Sequence, residues 1–314
     1  MSVSNLWVPY AVSLNTATLG AGAVLLDQIQ NFEDDPGINL VVASGDGQVD
    51  PTYVAVMSQR PTMSFGSSAL ATILGACGIS GAVIDADGTY PGLVAWYQKM
   101  AEGGIRASGS AHLKMTAKEG LLIPTSVTAQ QDGTAMISLQ AGLTYDGTNA
   151  PIVVADSQAL SGSPAVGEMF TVGPVSINGT TLEGIQSISF DPGLSLVFGA
   201  GDGDVWPTYV SVQARRPRIS VVTTDVSALA TLGISGAAQG ATDSVVWFRK
   251  KAEGGTLTAD ATAEHISLTM DDGMAIPGRG SVTQDGHATR EVTLVPSWDG
   301  TNAIIVISTA AAIA

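Results

Sequence analysis

The sequence predicts a mainly β protein: two tandem copies of an antiparallel β-sandwich or barrel domain, each with one packed α-helix. Three observations support this fold class. An internal repeat divides the chain, polar and apolar side chains alternate over long segments, and Asp-Gly pairs recur at matching places. The 314 residues leave room for two domains of roughly 100–200 residues each.

The repeat is the clearest of the three signals. Residues 35–65 and 191–221 are identical at 17 of 31 positions without a gap. Shorter matches follow in the same order: 68–72 with 227–231, 78–82 with 233–237, 101–104 with 252–255, 119–124 with 272–277, and 145–154 with 298–307. A repeat this long exceeds any solenoid unit. We therefore expect residues 1–156 to form the first domain, 157–167 a linker of small residues, and 168–314 the second domain.

Strands are predicted over most of each repeat. Residues 208–222 alternate polar and apolar side chains, which is typical of a strand with one wet face, and Pro217 predicts an edge, bulge or bend. Asn178-Gly179 lies between two apolar-alternating runs and predicts a tight hairpin. The Asp-Gly turns of the predicted antiparallel meander begin at Asp46, Asp132, Asp146, Asp202, Asp272, Asp285 and Asp299.

One helix is predicted in each repeat. In residues 91–103, Leu93, Trp96, Tyr97 and Met100 fall at helical spacing between Pro91 and a pair of glycines. Residues 243–255 are the corresponding segment. A second short helix is expected at residues 68–74 and 227–232.

The charge composition bears on possible partners. Only 13% of residues are charged, which favours a protein that hides surface in contacts with other copies, and the net charge is −15. An acidic chain does not hold nucleic acid by counterion release. The amino-terminal segment lacks the pattern of a signal peptide, and the apolar carboxyl-terminal run of 12 residues is too short to span a bilayer, so no membrane association is expected.

Candidate catalytic, cofactor and metal sites are weak, and we expect none of the three. His112 and His265 match across the repeat without a neighbouring ligand, and His287 has no match; strand or interface histidines are expected. The acidic pairs beginning at Asp34 and Asp271, and the two Gly-Asp-Gly segments, are better explained as strand or turn residues. Cys77 is expected to be buried and inert. The chain is therefore not predicted to be an enzyme.

Aromatic residues recur at equivalent places and are interpreted as two copies of one core. The pairs are Trp96 with Trp247, Tyr53 with Tyr209, and Tyr145 with Trp298. A sugar-binding stripe is the alternative, and it requires that these side chains be exposed.

The segment Val175–Gly193 (VSINGTTLEGIQSISFDPG) is similar to the long hairpin with which tail tube proteins of long-tailed (siphovirus-type) bacteriophages open. With the acidic, glycine-rich, β-dominated composition, the chain resembles that family. The resemblance implies rings closed by strands into one inner barrel. In a two-domain chain it implies a homotrimer with pseudo-sixfold symmetry. It also implies other tail proteins at the tube ends, DNA passing through without specific binding, and a place in the virion tail after synthesis in the host cytoplasm.

A ring of duplicated domains requires contacts between unequal halves. We expect Arg215, Arg216 and Arg218 to pair with carboxylates of a neighbouring domain or ring, such as Asp202 or Asp204. Only Arg216 has a counterpart in the first repeat, Arg60. The lumen is expected along residues 26–33, 52–67, 176–189 and 208–223.

Besides a hydrolase with an unrecognised site, two other classes of function are open at this point. One alternative is another virion β protein, from the distal tail, the baseplate or the head decoration. A receptor- or glycan-binding module is the other alternative.

Overall fold

The computed structural model describes residues 6–16, 22–87, 89–101, 106–107, 109, 111–161, 167–227, 230, 232–239, 243–282, 284 and 286–313. Over these residues it has 24 strands, all paired antiparallel, and one helix. The prediction of a mainly β fold is therefore confirmed.

Twelve of the described strands lie in the first half of the chain. They are β1 (Leu6–Asn15), β2 (Ala23–Leu26), β3 (Ile29–Asp35), β4 (Ile38–Ala43), β5 (Tyr53–Gln59), β6 (Thr62–Ser67), β7 (Ala82–Asp85), β8 (Leu93–Met100), β9 (His112–Ala117), β10 (Glu119–Gln130), β11 (Met136–Thr144) and β12 (Val153–Gln158), with the helix α1 (Leu70–Cys77) between β6 and β7.

The other twelve described strands lie in the second half. They are β13 (Met169–Ile177), β14 (Thr180–Leu182), β15 (Ile185–Asp191), β16 (Leu194–Gly199), β17 (Tyr209–Arg215), β18 (Arg218–Thr223), β19 (Ala237–Gln239), β20 (Ser244–Lys251), β21 (His265–Met270), β22 (Gly273–Ser281), β23 (Thr289–Pro296) and β24 (Val306–Ala311).

Each half has its own five-stranded sheet, and one larger sheet runs through both halves. The small sheets have the orders β2-β1-β8-β9-β12 and β14-β13-β20-β21-β24. The large sheet has ten strands: nine follow the order β19-β22-β23-β18-β15-β10-β11-β6-β3, and β7 pairs with β10 off this path. Two hairpins, β4-β5 and β16-β17, stand apart from these sheets.

The order of strands is the same in the two halves. Counting β13 as the counterpart of β1, each described pairing within the first half recurs within the second, and the large sheet is two equivalent five-stranded parts joined by β10 and β15. The domain boundaries at 156 and 168 stay a prediction. Strand β12 runs to Gln158, two residues into the expected linker, and residues 162–166 lie outside the described part.

The core lies between the small sheets and one face of the large sheet. Leu14 and Leu139 are fully buried in the first half, and Phe190 and Phe248 are fully buried in the second. Burying a side chain of this size contributes roughly 1.5–3 kcal/mol. Alternation along each strand follows from this layering, because successive side chains point to opposite faces.

The helices predicted at residues 91–103 and 243–255 are wrong. The described residues of both segments form strands, β8 and β20, each in the middle of a small sheet. In β20, Ser244, Val246 and Phe248 are buried and their neighbours are not, which is a period of two. The runs are rich in β-branched and aromatic residues, which favour strands, and pairing on both edges overrides the helical spacing.

The helix that does form is the second short one predicted for the first repeat. Helix α1 begins two residues later than expected and buries Leu70, Ile73 and Leu74 against the core. Its expected counterpart, residues 227–232, lies partly outside the described residues.

The turn predictions are largely confirmed. Ile177 pairs with Thr180 across Asn178-Gly179, and both turn residues have positive φ. Asp46-Gly47 and Asp202-Gly203 also have positive φ, as the turns that suit a hairpin require. Residue Asp285 lies outside the described part. Pro217 separates β17 from β18, as predicted.

Candidate assembly interface

Strands β10 and β15 join the two halves edge to edge. Val127 pairs with Phe190, Thr128 with Ser189, Ala129 with Ile188 and Gln130 with Ser187. Strand β10 pairs with β11 along one edge. Along its other edge it pairs first with β7 and then with β15. We call the contacts of residues 59 and 126–146 with residues 185–210 the inner junction.

The hairpin β16-β17, here the second arm (residues 194–215), packs on the large sheet at the inner junction. A Cβ atom on Gly142 of β11 would lie 2.9 Å from Phe198 Cζ and 3.0 Å from Leu196 Cδ1. Such distances are too short for a relaxed contact, so glycine at this position lets the arm approach the sheet. One face of the second arm is thus half-buried against the first half of its own chain.

The loop of the second arm is fixed by hydrogen bonds to the first half. The backbone N–H of Gln59 donates to the carbonyl of Val205 at 2.7 Å, and that of Tyr145 donates to the carbonyl of Pro207 at 2.9 Å. The indole Nε1–H of Trp206 donates to Gln59 Oε1. The rings of Trp206 and Tyr145 lie 5.0 Å apart, which is contact distance for aromatic pairs.

A tight turn after β11 supports this aromatic pair. Asp146 Oδ1 accepts hydrogen bonds from the backbone N–H groups of Thr148 at 2.8 Å and Asn149 at 2.5 Å. Chiefly because of the Asn149 N–H, the pKa of Asp146 is lowered to about 2. Asp299 makes the same turn in the second half, and hydrogen bonds from Thr301 and Asn302 lower its pKa as well.

The equivalent hairpin of the first half, β4-β5, has no such cover. We call residues 38–59 the first arm. Its apolar side chains are largely exposed in the single chain: Ile38, Leu40, Val42, Val54 and Val56 are 39–61% exposed, and Val49 in its loop is 95% exposed. Patches of this kind mark interaction sites.

The large sheet ends in two edges that match each other. No strand among the described residues pairs with the outer edge of β3. Strand β22 carries β19 along Gly273–Ala275, and no described strand pairs with that same edge beyond Pro277. These two edges correspond to the edges of β15 and β10 that meet at the inner junction.

One face of the large sheet is left uncovered by the small sheets and is polar. The row Thr128, Ser189, Ser220 and Thr293 runs across four paired strands on this face. The adjacent row Val127, Phe190, Ile219 and Leu294 is fully buried on the other face. The charged side chains of the uncovered face include Glu33, Asp191, Arg218 and Glu291. This face includes β3, β6, β10, β11, β15, β18, β22 and β23. Of the segments expected to line a lumen, residues 53–59 and 209–215 lie on the two hairpins and residues 180–182 in a small sheet, so those parts are not on this face.

All six predicted interface residues are exposed: Arg60, Asp202, Asp204, Arg215, Arg216 and Arg218. None of them takes part in the ion pairs found among the described residues. Arg218 lies opposite Asp191 in the β15-β18 register. Asp202 and Asp204 lie in the loop of the second arm and form no ion pair with an arginine among the described residues.

The buried histidines have structural roles in their strands. His112 and His265 are 1% and 0% exposed, and their Nδ1 atoms accept the backbone N–H of Lys99 at 3.0 Å and of Lys250 at 3.1 Å. Burial lowers the pKa of His112. Cys77 is buried, and desolvation raises its pKa to about 12. The described residues contain no cluster of three metal-ligating side chains.

The aromatic pairs do not form two copies of one core, so that interpretation is wrong. Tyr53, Tyr209 and Trp298 are 56%, 59% and 69% exposed. Tyr53 and Tyr209 lie on the arms, and Trp298 follows β23 at the place where Tyr145 follows β11. Their repetition reflects the arms and their contact surfaces. Sequence reasoning missed both arms, and the signal that marks them is a pair of short apolar strands outside the core pattern.

The comparisons with known proteins do not assign the chain to a family. No protein-family model matches it, and no curated protein is significantly similar to it. Among the described residues, no helix has the length and apolar character needed to cross a membrane.

Proposed function

We propose that this chain is the tail tube protein of a long-tailed bacteriophage. Three copies form a ring, rings stack into a hollow tube, and DNA leaves the capsid through the lumen. Its role is structural and involves no catalysis. One observation carries the proposal: the large sheet joins both halves of one chain at β10 and β15, and no described strand pairs with the equivalent edges, that of β3 and that of β22 beyond Pro277.

Free edges that match each other favour a closed ring. When β22 of one copy pairs with β3 of the next in the manner of β10 with β15, the contact is head-to-tail and repeats. Closure removes sheet edges that otherwise promote aggregation. A closed ring of three chains contains six halves, which agrees with the pseudo-sixfold ring implied by the resemblance.

The dimensions and the lining suit a conduit. Four successive strands of each half (β3, β6, β11 and β10, or their counterparts) give 4 × 2 × 3 = 24 strands in a trimer. At about 4.8 Å between strands and a usual tilt, the barrel is about 45–50 Å across. The uncovered face supplies a lining of hydroxyl and amide groups with more carboxylates than cations: Glu33, Asp191 and Glu291 against Arg218. With a net charge of −15, the subunit does not attract DNA.

Electron microscopy of the purified protein tests this proposal. Negative-stain images over a range of concentrations are expected to show rings and tubes, and sedimentation is expected to give multiples of the trimer mass. In an intact tail, the other tail proteins are expected only at the ends of the tube. A monomer at every concentration would contradict the proposal, and lone particles that bind glycans would favour the receptor-binding alternative.

A further inference from the structure

The inner junction has a counterpart that a single chain cannot form. In the inner junction the second arm lies on β10 and β11, and its loop reaches Gln59 at the end of β5. The repeat places the first arm in the role of the second, β22 and β23 in the role of β10 and β11, and Arg215 in the role of Gln59. The second arm packs on the half that precedes it in the chain. No half precedes the first arm, so the equivalent surface, on β22 and β23, must come from another copy.

We infer that the first arm of one copy docks on the second half of the next copy, where Asp50 pairs with Arg215 and Asp35 pairs with Arg279. We call this contact the outer junction. The inference rests on the proposed function, in which copies join head to tail. It adds which side chains form that contact and why the two kinds of junction differ.

The first argument is an exchange of size. At the inner junction Phe198 of the arm covers Gly142, where there is no room for a side chain. The equivalent residues of the outer junction are Val42 on the arm and Val295 on β23. The arm side chain is smaller and the sheet side chain is larger, so the exchange keeps the two surfaces complementary. Val42 is 56% exposed in the single chain.

The second argument is an exchange of charge at the loop of the arm. Trp206 donates to Gln59 at the inner junction, and the equivalent residues are Asp50 and Arg215. A neutral hydrogen bond is replaced by a carboxylate and a guanidinium, a pair with strong directional preference. Both residues are exposed in the single chain, and Arg215 forms no ion pair there among the described residues.

The third argument is an exchange of charge along the sheet edge. Extending the β10-β15 register by one residue places Ser126 opposite Asp191, which also faces Arg218 on its other side. In the first half Asp35 faces Thr62, so that cation is missing. At the outer junction Arg279 occupies the position equivalent to Ser126 and supplies a positive charge opposite Asp35. Opposite charges at facing positions stabilise strand pairs.

These exchanges favour one order of joining around the ring. Asp50 gains a cationic partner at Arg215 that Gln59 does not offer, and Trp206 finds at Gln59 the acceptor that a guanidinium lacks. Inner and outer junctions therefore alternate around the ring. The partner of Arg215 is then Asp50, in place of the Asp202 or Asp204 that the sequence alone suggested.

A charge-reversal cycle tests the inference in the full chain. Asp50→Arg and Arg215→Asp are each expected to raise the concentration needed for assembly at least about tenfold, because like charges meet at the contact. The double variant is expected to restore assembly to within about threefold of the unaltered protein. Asp50→Trp with Arg215→Gln, which copies the inner junction, is expected to assemble as well. Far-UV circular dichroism checks that each variant folds.

Glu183→Arg is the matched control. This residue is an exposed carboxylate at the other end of β15 from the arms, and its reversal is expected to leave assembly unchanged. Single reversals that assemble like the unaltered protein, or a double variant no better than the singles, would overturn the inference.

A cysteine pair gives a second, direct measurement. In Asp50→Cys with Arg215→Cys, oxidation of assembled protein is expected to give a disulfide between chains and a ladder up to the trimer. The control Gln59→Cys with Trp206→Cys is expected to close within one chain, because the Gln59 N–H bonds to the Val205 carbonyl beside Trp206. Cys77 is buried and does not interfere. An assembled sample without cross-links between chains would overturn the inference.

The two proposals fail in different ways. Tubes that form regardless of these substitutions would refute the outer junction and leave the tube proposal standing. A small closed oligomer that obeys the charge cycle but never stacks would refute the tube and leave the outer junction standing.

Discussion

At the scale of single residues, a few side chains fix backbone geometry at corresponding points of the two halves. Asp35 and Asp191 each accept the N–H of a glycine two residues later, at 2.8 and 2.7 Å, where an arm leaves the large sheet. After β11 and β23, Asp146 and Asp299 each accept two backbone N–H groups, from a threonine two residues later and an asparagine three residues later. Pro124 and Pro277 stand next to register shifts in β10 and β22, as expected for a residue that lacks an N–H group.

The lowered pKa of Asp146 predicts a defined pH dependence. The folded state favours the carboxylate, so its stabilising effect is complete above the ordinary pKa of 3.8 and is lost as the pH falls towards about 2. Asp146→Asn is expected to unfold more readily than the unaltered protein at pH 5, and the difference is expected to close near pH 2. Thermal unfolding followed by circular dichroism measures both. Asp132→Asn, in another exposed turn, is the control, and a gap that stays constant with pH would contradict the assignment.

At the scale of elements, the same hairpin occurs in two environments. The second arm packs on its own chain through Leu196, Phe198 and Val210, which lie over Gly142. The first arm, with Leu40, Val42 and Val54 at the matching positions, is exposed. Burial of an arm is therefore decided by its place in the chain.

Deleting the arms one at a time is expected to separate assembly from folding. Asn39 pairs with Ser58 and Ser195 pairs with Ala214, so a two-residue Asn-Gly turn can replace the outer part of either arm and leave Gln59 in place. Loss of residues 40–57 is expected to abolish tubes and to lower the melting temperature by no more than about 2–4 °C, the effect of roughly 1 kcal/mol.

Loss of residues 196–213, the equivalent part of the second arm, is the matched control for this deletion. It uncovers β10 and β11 within the chain and is expected to lower the melting temperature several times more. Equal melting temperatures for the two deletions, or tubes formed without the first arm, would contradict this division of roles.

At the scale of the whole molecule, one sheet of ten strands makes the two halves a single continuous surface. Its covered face holds the core, and its uncovered face carries hydroxyl groups together with the charged side chains of Glu33, Asp191, Arg218 and Glu291. In a ring built from such units, inner and outer junctions alternate, and the two halves at each inner junction belong to one polypeptide chain. This arrangement reduces the number of separate subunits that must meet.

The repeated strand order predicts that residues 10–156 and 166–310 superpose as one fold. An experimental structure, by cryo-electron microscopy of assembled protein, is expected to align the two halves over their β strands and to differ mainly in loops. Two halves with different connections between strands would contradict the duplication.

The sequence by itself determined the features that depend on neighbouring residues. The β class, the repeat, the Asn178-Gly179 hairpin and the break at Pro217 follow from local alternation and turn chemistry. The strands at residues 93–100 and 244–251 did not follow, because helical and strand spacings are hard to distinguish in a short apolar run and pairing with distant strands settles the choice. Only the tertiary structure decided that β10 meets β15, that one arm is covered and the other is exposed, and that Arg215 has no partner in the described part of its chain. Sheet edges and apolar faces are completed by segments far along the chain or on another copy, and local sequence carries no record of which.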